Sequence, residues 1–279
     1  LPWVLGQFGS NTSFTTTRTN YVAAIDAKQK IQEIAAMDLG GAAEDYELAD
    51  NTVFATADPS KMMTFAQLGA RAIELGGKYD GHEAPEDIFP LTKEAVTGIM
   101  GGGLVGVAKD KLELHGAVPA LATGFIMIEL DLETGQHEIL DYVGTADCGT
   151  VLHPQGLDQQ IKGGAVMGFG MASMEKAVYD PQNGLPANVG FYQSKPPSIL
   201  DVPSDMTTQA VDKPDPQNPV GAKGIGEPLM GCAASALVCA ISDATDGHLF
   251  NRSPIMPDMI INVASDQPQS YKRLQVLTQ

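Results

Sequence analysis

Basic residues are scarce in this chain: 17 lysines and arginines stand against 34 aspartates and glutamates, a formal net charge of −17 over 279 residues. Binding a phosphate backbone requires clustered cations, so nucleic acid is not expected as a partner. The excess negative charge favours solubility and says nothing about fold. Cysteine is scarce as well. Cys148, Cys232 and Cys239 cannot all pair and share no short metal-ligand spacing, which predicts free buried thiols in a reducing, cytoplasmic compartment. Five scattered histidines predict no metal held by protein side chains. No apolar run approaches the ~20 residues of a membrane span. The opening Leu1-Pro2-Trp3 lacks a signal-peptide layout, and the missing initiator methionine predicts a natural protein that begins earlier or is processed.

What is present is a globular composition, 43% hydrophobic and 18% charged, long enough for two domains at roughly 150 residues each. The pattern predicts an α+β fold in which antiparallel hairpins pack with helices, divided into subdomains at 1–120 and 121–279. Residues 9–19 form a hydroxyl-rich stretch before a helical pattern through Ala24, Ala27, Ile31, Ile34 and Ala35, which Gly40-Gly41 stops. That stretch reads either as a loop with an ordinary N-cap or as a cradle of hydroxyls and N–H groups for an anion. A hairpin is predicted over 46–48 and 52–55, followed by a helix over 65–75. Gly101 to Gly106 fits a dinucleotide fingerprint in letters only, because no clear strand precedes it.

From Thr123 a second hairpin is predicted, with strands over 125–130 and 139–143 and a turn at Glu133-Thr134-Gly135. Cys148 reads as a small core residue rather than a nucleophile, since no histidine and acid can be paired with it. A helix over 157–174 carries Met167, Met171 and Met174 at i, i+4 and i+7, a core stripe by spacing. Its glycines imply a close approach by another helix or a flat ligand. A strand over 176–179, a turn at 181–184 and a Pro-rich segment over 195–219 follow. After Pro228 a helix should bury Ala233, Leu237, Ala240 and Ile241, and beyond Pro257 the chain reads as a polar tail.

The most informative stretch is Gly221-Ala222-Lys223-Gly224-Ile225-Gly226-Glu227-Pro228. Three glycines in six residues permit positive φ and close backbone approach. Pro228 suits the first helical position, which makes Glu227 the cap. Glutamate is too long for the usual capping bond, so its carboxylate should point elsewhere. The helix dipole favours its ionised form and burial opposes it, the tension by which a general base is tuned. An ordinary acidic residue at a helix start is the plainer alternative.

Three separated blocks resemble the carboxy-terminal part of the molybdopterin-binding subunit in the xanthine dehydrogenase and aldehyde oxidase family of molybdenum hydroxylases. They are Thr17-Arg18-Thr19; Asp147-Cys148-Gly149 through Pro154 to Gln160-Ile161-Lys162-Gly163-Gly164 and Gly168-Phe169-Gly170; and Lys223 to Pro228. Departures from the usual pattern are Leu152-His153-Pro154, Met167 and Thr17. The resemblance implies cofactor contacts from Thr16, Thr17, Arg18, Thr19, Gln160, Lys223, Gly224, Ile225 and Gly226, with Glu227 as the catalytic base.

It also implies molybdopterin, plain or as the cytosine dinucleotide, whose dithiolene holds the molybdenum. In such enzymes a molybdenum-bound hydroxyl attacks an electron-poor carbon of an N-heterocycle or aldehyde while hydride passes to a sulfido ligand. Electrons would leave through [2Fe-2S] and FAD groups on partner subunits, since this chain has no cysteine pattern for a cluster. The family's upstream half has no counterpart here. That implies a heteromer, with the other half of a molybdenum subunit supplied as a separate chain, as in nicotinate dehydrogenase, or lost from a longer one. A non-catalytic cofactor scaffold or assembly subunit is the competing expectation.

Overall fold

The computed structural model describes residues 6–271; Leu1-Pro2-Trp3 and the end of the polar tail lie outside them. Two compact units share the chain. One comprises residues 6–8, 14–116 and 216–220, the other residues 9–13, 117–215 and 221–271. Short segments are thus exchanged, and two of them carry part of the argument below.

In the first unit, α1 (Thr12–Leu39) supplies most of its length, and an antiparallel meander follows, β1 (Tyr46–Ala49), β2 (Thr52–Ala55) and β3 (Asp58–Thr64). The strand β3 was not predicted. Its Asp-Pro opening and charged, exposed residues carry no apolar alternation to reveal it. Helix α2 (Phe65–Leu75) begins at Thr64, which caps the amide of Gln67 while Gln67 reaches back to the amide of Thr64. Ile34 and Ala35 of α1 close over Tyr46, Val53, Leu68 and Ala72 in one core. A shorter helix, α3 (Pro90–Thr97), sits in the Gly- and Pro-punctuated segment. Gly101 to Gly106 belongs to no helix or strand and follows a helix rather than a strand. Gly106 instead lets the chain pass against α1, where an added Cβ would lie 2.8 Å from that of Ala27.

The second unit is built on a three-stranded sheet ordered β4 (Ala122–Leu130), β5 (His137–Gly149), β6 (Asp205–Asp212). The hairpin β4–β5 is the predicted one, lengthened at both ends. β6 pairs parallel to β5, so the sheet is mixed. Helices α4 (Pro154–Ser173) and α6 (Pro228–Asp243) pack with this sheet in one core of Ile126, Ile128, Tyr142, Phe169, Ala233, Leu237 and Ile241. A one-turn α5 (Phe191–Ser194) and an unpredicted α7 (Pro257–Ala264) complete the elements. The expected strand at 176–179 is reduced to a single bridge between Tyr179 and Pro186.

Two burial expectations are corrected. Met167 and Met171 are 46% and 45% exposed, because the face of α4 that packs inward is Ile161, Gly164, Ala165, Gly168, Phe169 and Ala172. Small residues face α6 there, since a Cβ on Gly164 would lie 2.9 Å from that of Leu229, and one on Gly168 2.9 Å from that of Ala233. The close approach implied by these glycines is therefore that of another helix. Of the three free thiols, Cys148 is buried but Cys239 is exposed. Burial pushes the Cys148 thiol above its ordinary value, as for an inert core residue. Among the described residues no helix is long and apolar enough to cross a membrane.

Candidate active site around Glu227

Glu227 is the N-cap of α6, with Pro228 at the first helical position and no side-chain capping bond. Its carboxylate is exposed. Burial of Leu229, Ala233, Leu237 and Ile241 at four-residue intervals fixes the helix; Ala240, expected among them, is half-buried. The loop before Glu227 is anchored at several points. Ala222 bridges to Gly149, the Lys223 amide donates to the Cys148 carbonyl at 2.8 Å, and the Gly221 carbonyl accepts from the amides of Thr150 and Asp215. Ile225 packs against Ala146, Ile161 and Leu229.

The Lys223 ammonium donates to Asp147 Oδ2 at 2.7 Å and to the Pro119 carbonyl at 3.3 Å, with Asp215 at 3.9 Å. Its side chain is 13% exposed. It is turned into the protein, where it anchors the loop. For Asp147 burial works upward, but the Lys223 hydrogen bond and the Gly149 amide outweigh it, and the carboxyl lies below its ordinary range.

The Arg18 side chain is likewise held by the protein. The residue is 5% exposed, and its Nε, Nη1 and Nη2 donate to both carboxylate oxygens of Asp110 and to the carbonyls of Leu112, Glu113 and Gln217. These five bonds match the five donors of a guanidinium, leaving none for a ligand. The threonines around it are helical from Thr12 on rather than in a loop. Thr17 Oγ1 donates to the Phe14 carbonyl and accepts from Asn218 at 2.6 Å. The exposed Thr19 donates to the carbonyls of Thr15 and Thr16, and Thr16 is exposed. Thr16 to Thr19 belong to the first unit.

The remaining predicted residues meet in the second unit. Gln160, exposed in the second turn of α4, carries its Oε1 to Gly226, where an added Cβ would be 3.1 Å away. Gly226 has φ +147°, a conformation other residues avoid. Sequence reasoning missed one member. Ser10 Oγ accepts the Glu227 amide at 2.8 Å and donates to Glu227 Oε2 at 3.3 Å. An exposed carboxylate with one oxygen held, beside an amide side chain and a backbone bare of Cβ atoms, can take a proton from a ligand lying on that surface. The exposed Gln160 amide beside this loop also suits a flat ligand rich in amide-like groups such as a pterin.

Comparison with known proteins places the chain in a family. A family model described as "Molybdopterin cofactor-binding domain" matches residues 1–203. Subunit gamma of the 6-hydroxypseudooxynicotine dehydrogenase complex of Paenarthrobacter nicotinovorans is 34% identical over 159 residues, covering 56% of this chain and 20% of its own. The carbon monoxide dehydrogenase large chain of Afipia carboxidovorans is 26% identical over 252 residues, covering 89% and 28%. Among solved structures, quinoline 2-oxidoreductase from Pseudomonas putida 86 superposes with a TM-score of 0.70 at 25% identity, covering 95% of this chain and 31% of that one. The chain therefore spans less than a third of the length of these relatives. It belongs to the molybdopterin cofactor-binding domain family of the xanthine dehydrogenase type.

Proposed function

We propose that the chain is the carboxy-terminal portion of the molybdenum subunit of an oxidoreductase that hydroxylates an electron-poor carbon, with Glu227 as general base. The observation that carries this is the exposed Glu227 carboxylate, fixed at a helix start beside Gln160 and Gly226. Relatives named for 6-hydroxypseudooxynicotine and quinoline favour an N-heterocycle over an aldehyde as substrate. When bound, the molybdopterin centre, plain or as the cytosine dinucleotide, supplies the oxygen nucleophile and accepts the electrons. This chain's part is to hold the cofactor and move one proton. Gln160 offers its amide, Gly224 and Gly226 let Ser10 and Gln160 close on the loop, and Ile225 anchors it. Glu227 Oε2 accepts from Ser10, so the proton lost by the oxygen nucleophile is taken at Oε1. The remaining cofactor contacts come from polypeptide outside these 279 residues, and [2Fe-2S] and FAD groups on partner subunits carry the electrons away.

The test is the assembled complex with Glu227→Gln, assayed on a panel of N-heterocycles. General-base assistance is worth about 10²–10⁴-fold, so turnover should fall by that factor while molybdenum content stays at the wild-type level. Wild-type turnover in the variant, or no turnover of any heterocycle by the wild-type complex, overturns the proposal. Stoichiometric molybdenum bound by the isolated chain would contradict the claim of missing cofactor contacts.

A further inference from the structure

Resting on that reading of Glu227, we infer that Ser10 is a positioning residue for the catalytic carboxylate. Three independent features converge on it. The first is the paired bond already described: one hydroxyl accepts the Glu227 amide at 2.8 Å and donates to its Oε2 at 3.3 Å, linking the backbone and the carboxylate of the same residue. A glutamate side chain turns about three bonds, and the Ser10 bond restrains that rotation on the solvent side of the helix start. The second is conformational. Ser10 has φ +57°, directly after Gly9 at φ +59°, and a non-glycine residue in the left-handed region is uncommon outside functional or tightly determined turns. The third is steric. The loop bearing Glu227 is cut back to glycine where Ser10 sits, since a side chain on Gly224 would run into the Ser10 carbonyl and a Cβ on Gly226 would lie 3.2 Å from the Ser10 hydroxyl. The two glycines thus make the notch in which Ser10 reaches Glu227.

Gly224 and Gly226 thus serve to seat Ser10, and residues 9–13 are part of the site. Ser10 touches neither substrate nor the reacting atoms in this scheme; it acts through Glu227.

The experiment is a double-mutant cycle in the assembled complex, with Ser10→Gly, Glu227→Gln and the double variant. The substrate is the heterocycle turned over in the test of Glu227. Glycine suits the left-handed backbone, so Ser10→Gly removes the hydroxyl without penalising the turn. Ser10→Gly should lower kcat about tenfold with KM within about twofold and molybdenum content unchanged. In the Glu227→Gln background, single-turnover rates should show no further loss from Ser10→Gly. Amide hydrogen exchange of the peptide spanning residues 221–229, read by mass spectrometry, should quicken in Ser10→Gly because the Glu227 amide loses its acceptor. Wild-type kcat in Ser10→Gly, losses that multiply in the double variant, or unchanged exchange would each overturn the role of Ser10. Normal turnover by Glu227→Gln alone would instead remove the proposed function on which it rests.

Discussion

Asp147 shows how a single side chain can hold the loop that matters. Its carboxylate receives the Lys223 ammonium at 2.7 Å and the Gly149 amide at 3.2 Å, joining the end of β5 to the loop before Glu227. Burial alone would raise its pKa, and these partners lower it further than burial raises it. A carboxyl whose folded pKa lies below its unfolded value contributes stability that is complete above the unfolded pKa and is lost as pH falls through the folded one. The stabilisation from Asp147 is therefore intact at neutral pH and disappears on the acid side of the ordinary aspartate range. Asp147→Asn should destabilise by about 1–3 kcal/mol at pH 7, the usual loss for a partly buried charged hydrogen bond. Thermal melting of both proteins across pH should show the gap between them closing in acid. At this scale the sequence was uneven as a guide. The cap position of Glu227 was legible from its own neighbours, because Gly and Pro flank it. Ser10 was not, since its partner lies 217 positions away and a serine in a Thr-rich stretch looks like any helix cap. The partners of Arg18 were not legible either, since the five protein acceptors that surround it come from distant residues brought in by the tertiary fold.

The contact between α4 and α6 sets the position of Glu227 at the level of elements, and the glycines of α4 divide into two kinds. A Cβ on Gly168 would meet Ala234 N at 2.8 Å and the Ala233 side chain at 2.9 Å, whereas around Gly163 nothing lies within 4 Å. Overpacking typically costs about 1–3 kcal/mol, while alanine gains up to about 1 kcal/mol over glycine in a helix interior. Gly168→Ala should accordingly lower stability by about 1–2 kcal/mol, and Gly163→Ala should raise it by about 0.5–1 kcal/mol. Denaturant melts of the two variants would show midpoints moving in opposite directions; a shift of the same sign in both would refute the assignment of the α4–α6 contact. Hairpins, α2 and α6 could be read from periodicity because each has one face in a core. β6 could not, as Pro-rich flanks masked a modest alternation of Met206, Thr208 and Ala210. α4 was found, but its buried face was read from methionines when the space available against α6 admits only smaller side chains.

For the molecule as a whole, charge is the dominant long-range quantity. With a formal charge of −17, unlike the pairwise contacts above, repulsion acts over the Debye length, which shrinks from about 30 Å at 0.01 M salt to about 8 Å at 0.15 M. Thermal stability should rise over that range of sodium chloride; a midpoint that falls or does not move would show that local ion pairs such as Arg18–Asp110 outweigh the net repulsion. The exchange of segments between the two units has a different kind of consequence, one of timing. Residues 9–13 belong with 117–215 and 221–271, while residues 216–220 return to the unit of 14–116. During synthesis Glu227 leaves the ribosome 217 residues after Ser10, so at ~5–20 residues per second the two remain apart for roughly ten to forty seconds. Neither unit can finish folding on one continuous stretch of nascent chain, and the serine–glutamate pair can close only once Glu227 has emerged.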